Sequence, residues 1–230
     1  MNIETFSVSK TGLLRLLHLA SPALPVGTFA YSHGLEWAIE RRSVNDAATS
    51  RDWIWGVVSH SLGRCDVPLL GKLYAAWEKG DTEAALAHSA WLSATRGSAE
   101  LEAEDKRLGA ALARLLASTA FPEVTAFAAQ AKTTYACLFA FAAAKWQIGL
   151  EVTALAYLFS FVEAQVSAAV RLVPLGQSDG QRIIMELAEL LPSIAERGLA
   201  LEGDEIGASL PGHAMASALH ETQYTRLFRS

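Results

Sequence analysis

Residues 151–172 read EVTALAYLFSFVEAQVSAAVRL. Val152, Leu155, Phe159, Val162, Val166 and Val170 recur here at steps of three and four, which puts them on one face of an α-helix. A strand would need strict alternation, and no segment of the chain supplies it. Working outward, Ile183, Leu187, Leu190, Leu191 and Ile194 repeat the helical spacing downstream. Upstream, Leu101, Leu108, Leu112 and Leu115 mark another helix, with Glu102, Asp105, Lys106 and Arg114 assigned to its opposite side. Leu13, Leu14, Leu16 and Leu17 give an apolar face to a short first helix. Abundant alanine favours helix and lets helix axes approach closely.

The punctuation fits the same reading. Asp66 before Pro68 reads as a helix cap with proline in the first turn. Gly80-Asp81 ends one helix and begins the next, and Phe121-Pro122-Glu123 separates two more. Pro174-Leu175-Gly176 closes the long helix near Arg171. No repeat, low-complexity tract or linker divides the 230 residues. The sequence therefore predicts an all-α fold: a single domain over residues 1–230, a bundle of about eight to ten helices, with a C-terminal tail at about residues 213–230. Two segments stand apart from a plain bundle. Residues 21–27, SPALPVG, form an apolar, proline-stiffened loop that either packs into the core or waits for a partner, and residues 198–212 are glycine-rich and turn-prone.

The totals narrow the function. At 51% hydrophobic and 19% charged, the chain has apolar mass for one substantial core. A net charge of -5, with both signs spread along the sequence, offers no basic stripe to nucleic acid or anionic lipid. Cys65 and Cys137 form no CxxC pair, and the chain is too large and cysteine-poor for a disulfide scaffold. The N-terminus MNIETFSVSK lacks the basic-then-apolar order of a leader, and Lys132, Lys145, Glu151 and Glu163 interrupt the apolar stretches before a membrane-spanning length. A cytoplasmic protein is expected, with no membrane or nucleic-acid partner.

Familiar catalytic patterns are missing. There is no GxxxxGK[ST] phosphate loop and no HExxH, and the six histidines never pair at i,i+3 or i,i+4. No permanent metal site is expected, although His33, His213 and His220 would make a transient one if the fold gathered them. Ala30-Tyr31-Ser32-His33-Gly34 differs from the GxSxG elbow of hydrolases by one residue, but that elbow needs a preceding strand. Ser32 reads instead as a cap of the helix that carries Glu36, Trp37 and Ile39.

Three polar clusters remain: Tyr31, Ser32, His33, Gly34 and Glu36; then residues 177–182, QSDGQR; then His220, Glu221, Gln223, Tyr224, Arg226, Phe228 and Arg229. The first reads as a helix start, the second as a turn with Ser178 or Asp179 capping the next helix. The third mixes aromatic side chains, leucine and arginine, the composition of interface anchors rather than of a solvated end. The residues alone describe a helical protein-binding module.

Three segments carry a family resemblance. LLHLASPALPVGTFAYSHGLEWAIE, VEAQVSAAVRLVPLGQSDGQR and SALHETQYTRLFRS, in that order, resemble the opening, the long helix with its PLGQ-x-x-GQR turn, and the tail of UreF-type urease accessory proteins. Residues 45–145 match only in helical character and in Asp66-Val67-Pro68, and Thr28 stands where family members often have a second glycine. The resemblance implies an all-helical homodimer that is not an enzyme. It implies an adaptor joining a UreD-type protein (also called UreH) and a UreG-type GTPase, so that nickel is inserted into the urease apoprotein. Nickel would be delivered by the complex and not stably bound here, so no cofactor is expected, and any ligands on this chain would be weak and passing. By position, Tyr31, Glu36, His220, Glu221, Tyr224, Arg226, Leu227, Phe228 and Arg229 would meet the UreD-type partner, the tail and the Tyr31 loop ordering together upon it. Arg226 would pin that loop. Gln177, Asp179, Gly180, Gln181 and Arg182 would lie near the dimer axis and the GTPase. Alternatively, Arg182 would act on the GTPase as an activating finger.

Overall fold

The computed structural model describes residues 8–127, 133–207 and 210–229; the stretch 1–7, on which the missing leader was read, and Lys132 lie outside it. Among the described residues every regular element is helical. In chain order these are α1 (Lys10–Leu19), α2 (Leu35–Glu40), α3 (Ala47–Val57), α4 (Val67–Lys79), α5 (Thr82–Ala94), α6 (Ala99–Thr119), α7 (Tyr135–Lys145), α8 (Leu150–Leu172), α9 (Gln177–Ala188), α10 (Leu191–Leu199) and α11 (Pro211–His220). That is one helix more than the upper count the sequence suggested.

Polar residues set the starts. Side chains of Ser9, Asp46, Asp81, Ser98 and Thr134 accept first-turn backbone N–H groups of α1, α3, α5, α6 and α7. Gly80 ends α4 in the left-handed region, at φ 71°. The core is built around α7, buried all round from Tyr135 to Ala143, as suits a helix that is apolar on every side. Around it stand α4, α6 and α8, and α8 also supports α3, α9 and α10. Val162 and Val166 lie in the buried stripe of α8, as their spacing required. A smaller cluster of Leu35, Ala38, Val44, Ala168, Ala169, Val173 and Phe228 joins α2 and the end of α8 to the tail.

Several local readings change. Asp66 is no cap: α3 runs into α4 through a π-helical stretch, Val58–Asp66, and Asp66 has helical angles with its side chain turned inward. Each π turn takes in an extra residue, which re-aims the helix beyond it, and such turns gather at functional sites. Asp105, assigned to the outer side of α6, is buried with an ion pair. Of the four leucines read as the apolar face of α1, Leu16 is buried, together with Leu19 at the helix end, while Leu13, Leu14 and Leu17 stay exposed. The apolar loop packs inward through Leu24 and Val26, and its left-handed residue is Gly27, at φ 90°, leaving Thr28 to open a short 3-10 turn. Gly176, not Ser178 or Asp179, precedes α9, and Asp179 pairs with Arg182. With 23 residues and a mean hydropathy of 1.3, α8 meets the length and composition of a membrane span, contrary to the sequence reading; half of that stretch is buried by the helices around it.

Gly109 of α6 lies where a Cβ would run into the carbonyl oxygen of Thr133 and the backbone of Thr134. Both neighbours are backbone and cannot swing aside. Gly109→Ala should cost about 1–3 kcal/mol, seen as a melting temperature lower by about 2–4 °C per kcal/mol.

Candidate functional site

The C-terminal tail folds back on the chain, and one carboxylate organises it. Glu36, in the first turn of α2, is buried. Its Oε1 accepts the backbone N–H of Leu227 at 2.7 Å, and its Oε2 accepts that of Phe228 at 3.0 Å. Nε2 of His220, at the end of α11 and fully buried, is 3.1 Å from the same Oε2. The other ring nitrogen, Nδ1, is 2.8 Å from Oε2 of Glu100 in α6. Charged acceptors make such bonds roughly twice as strong as neutral ones. Beyond them, the backbone N–H of Arg229 donates to the carbonyl of Ala30 at 2.8 Å, and the Phe228 ring fills the small cluster against α2 and α8.

The start of α6 supplies the second anchor. Ser98, its N-cap, shares a 2.6 Å hydrogen bond with Ser217 of α11. Glu221 accepts the backbone N–H of Glu100 at 3.2 Å, an acid at a helix N-terminus where the peptide dipoles favour negative charge. Arg226 donates to Oε1 of Glu100 at 2.6 Å. Arg226 therefore pins the tail to α6, and the Tyr31 loop is tied instead through Ala30 and Glu36. Gly34 lets α2 and α11 meet: its φ is 76°, and a Cβ there would lie 2.8 Å from the backbone nitrogen of Ser217.

A buried charge cluster sits beneath α6. Arg96, in the turn between α5 and α6, donates to both oxygens of Asp66, at 3.0 and 2.8 Å, and to Oδ2 of Asp105 at 2.8 Å. Tyr157 of α8 donates its hydroxyl to Asp66 at 3.0 Å, and the backbone N–H of Tyr135 donates to Asp105 at 2.8 Å. Burial alone would lower the Arg96 pKa, but Asp105 and Asp66 hold it well above its ordinary value. Burial pushes the Asp105 carboxyl up, against the pull of Arg96. Beside the cluster, His33 reaches Glu104 at 2.7 Å from a left-handed backbone at φ 53°. Its ring stacks on that of His213, centroids 6.4 Å apart. Burial first, then His33 and Arg96, drive the His213 pKa down to about 3.

The sequence-derived residues thus separate. Tyr31, Glu36, His220 and Phe228 are buried and serve the chain's own packing, while Glu221, Tyr224, Arg226, Leu227 and Arg229 remain exposed. Tyr224 is fully exposed, and Leu227, Met215 and Leu219 are exposed beside it in sequence. Gln177, Gln181 and Arg182 are exposed at the start of α9, Asp179 is half-buried, and Gly180 is buried against Val170 and Val166 of α8. His33 and His213 come together, but His220 is held apart between Glu36 and Glu100. No group of three or more His, Cys, Asp or Glu side chains among the described residues is placed to hold a metal ion. Ser32 is fully buried, and its hydroxyl accepts from the backbone N–H of Glu36 at 3.4 Å, which leaves the hydrolase resemblance without an accessible nucleophile. Sequence reasoning missed Glu100 and the Asp66, Arg96 and Asp105 cluster. Arg96 is 9 and 30 positions from its two aspartates, and Glu100 is 120 and 126 positions from His220 and Arg226, so no local spacing announced them.

Fold and site together define an all-helical scaffold whose terminal segment is clamped to its own surface with Phe228 turned in and Tyr224 and Leu227 facing out. A family model described as UreF matches residues 44–188. The chain is 48% identical over 216 residues to the urease accessory protein UreF of Alkalilimnicola ehrlichii, covering 94% of this chain and 95% of that protein. It is 45% identical over 231 residues to that of Marinobacter nauticus, covering 100% and 99%, and 43% identical over 218 residues to that of Hahella chejuensis, covering 95% and 98%. This chain belongs to the UreF family of urease accessory proteins.

Glu36→Gln keeps the shape of the clamp but removes its charge. Losing about 1.4 kcal/mol of closing energy, within the range for a hydrogen bond to a charged group, should raise the open population of the tail about tenfold. Limited trypsin cleavage after Arg226 should then quicken by a similar factor, with the helical circular dichroism unchanged. His213 gives a second test. Its folded pKa, about 3, lies below the ordinary 6.5. It therefore contributes stability above about pH 6.5, and that share is lost as pH falls toward 3. Urea unfolding should show the stability difference between the native chain and His213→Gln shrinking by up to about 1.4 kcal/mol per pH unit below pH 6.

Proposed function

We propose that this chain acts as a non-catalytic adaptor in urease maturation, a homodimer joining a UreD-type protein to a UreG-type GTPase so that nickel is inserted into the urease apoprotein. The observation that supports the reading most directly is the C-terminal tail: Tyr224 and Leu227 are held out into solvent while Glu36, His220 and Phe228 fix the backbone behind them. Apolar and aromatic side chains presented on a braced backbone are the composition of interface anchors, and bracing lowers the entropy cost of docking. The UreD-type protein is the partner assigned to this surface, with Glu221, Arg226 and Arg229 at its polar rim.

Gln177, Gln181 and Arg182 line the exposed start of α9 and are assigned to the dimer axis and the GTPase. An activating role for Arg182 draws support from its exposure: the side chain is 65% accessible and pairs with Asp179, its neighbour on the same helix. A pairing of that kind contributes little and leaves the guanidinium available to a partner. Arg182→Ala separates the two roles. Parallel losses of binding and GTP turnover mark a contact residue, and a loss of turnover with binding intact marks a finger.

The adaptor reading is tested by co-purification with UreD-type and UreG-type proteins. Replacing Tyr224 and Leu227 together by serine touches no bond of the clamp, so the fold should persist. The complex with the UreD-type protein should weaken about a hundredfold or more, as for two anchor residues. Unchanged capture of the partner would overturn the assignment of the tail.

A further inference from the structure

The tail and α6 face each other across an open groove of about 670 Å³. One wall is a stripe of α6: Ala99, Ala103 and Arg107 follow at steps of four, which sets them on one face of the helix, with Glu100 beside them. The other wall is the tail from Arg226 to Arg229. At 1.5 Å per residue the α6 stripe is about 12 Å long, the span of about four residues of extended chain. Ala99 and Ala103 raise only methyl groups along it, so another backbone has room to approach closely. The exposed Leu227 side chain adds an apolar contact from the tail side.

Five ionic side chains stand on these walls: Glu100, Glu221, Arg107, Arg226 and Arg229. Both carboxylates are engaged within the chain. Glu100 holds His220 and Arg226, and Glu221 accepts the backbone N–H of Glu100. Arg107 and Arg229 differ. Both are exposed, and among the described residues neither guanidinium has an ion-pair or hydrogen-bond partner; Arg229 bonds only through its backbone N–H. Three arginines to two engaged glutamates give the groove a cationic field, on a chain whose net charge is -5. A guanidinium takes a carboxylate in a forked pair of charge-assisted bonds, and the small apolar surface between the arginines suits a peptide more than a bare anion. We infer that the groove seats a short acidic segment of the UreD-type protein, its carboxylates on Arg107 and Arg229 and an apolar side chain against Leu227 and Ala103. The inference rests on the tail being the surface that meets this partner, and it adds a wall of α6 to that surface.

The test follows the association of the full-length chain with the UreD-type protein at low and high salt. Arg107→Glu and Arg229→Glu break no bond that either side chain makes within the chain, so the fold should persist. Each should weaken binding at least about tenfold at low salt, mainly through slower association, and flatten its salt dependence. Arg114→Glu makes the same charge change at an exposed position of α6 outside the groove, and should bind as the native chain does. Native affinity in either groove variant, or an equal loss in Arg114→Glu, would overturn the proposal. If the native chain captures no UreD-type protein, the adaptor reading fails by itself and the groove is decided by peptides. Acetyl-EELEE-amide is then titrated beside acetyl-QQLQQ-amide, with the arginine Nε–H resonances as the readout. The acidic peptide should bind at least about tenfold more tightly and shift Arg107 and Arg229. Equal binding of the two peptides, silence of both arginines, or a tighter response to inorganic phosphate would each sink the acidic-segment assignment.

Discussion

The interaction on which the rest depends is the one between Arg96 and its two aspartates. Arg96 occupies a short turn, yet its guanidinium reaches Asp66 at the end of the π-helical stretch and Asp105 one helix further on. Three elements are thereby fixed to one planar group, and Tyr157 adds α8. A buried set of this kind contributes little net stability, because desolvation offsets much of the attraction, but removing one member leaves a charge stranded. Its value here is positional. Gly97 alone separates Arg96 from Ser98, which with Glu100 anchors the tail, and one turn further along α6 stand Glu104, against His33, and Asp105, against Arg96 itself. One guanidinium sets the register of both.

The tail shows how a polar clamp and an apolar surface divide one segment. Hydrogen bonds from Leu227 and Phe228 use the backbone, so they leave the Leu227 side chain free to face outward while the Phe228 ring turns in. Ordering a loose segment costs about 1–2 kcal/mol per residue, and here the chain's own carboxylates meet that cost before any partner arrives. The segment that the resemblance cast as ordering upon a partner is already shaped, by Glu36 and Glu100.

The helices were legible in the sequence because helical periodicity is local: each face of α8 or α10 is written in residues three and four apart. Caps such as Asp81 were legible for the same reason. Asp66 shows where that reasoning fails. An acid before a proline has the composition of a cap, and only the distant Arg96 makes it a buried ion-pair partner within a continuous helix. Asp105 fails in the same way, since periodicity assigns polar residues outward unless a partner is known. The tail was recognised by its composition and by resemblance, but Glu100, its second anchor, carried no mark separating it from any first-turn acid. Long-range polar pairs are invisible to spacing, and the charge cluster and the clamp are made of them.

The π-helical stretch between Val58 and Asp66 has a consequence for how the chain tolerates change in length. From α3 to α4 the backbone is one unbroken rod, so its phase is set by the number of residues between the two ends. Wider turns absorb residues that a regular helix would spend on further rotation. Deleting a single residue there would leave composition and apolar content nearly untouched. It would nevertheless turn Leu69, Leu70 and Leu73 about the axis away from α7, and carry Asp66 out of reach of Arg96. Along this rod, length is information in the same sense as sequence: a one-residue deletion is a rotation, and it is felt at every contact downstream.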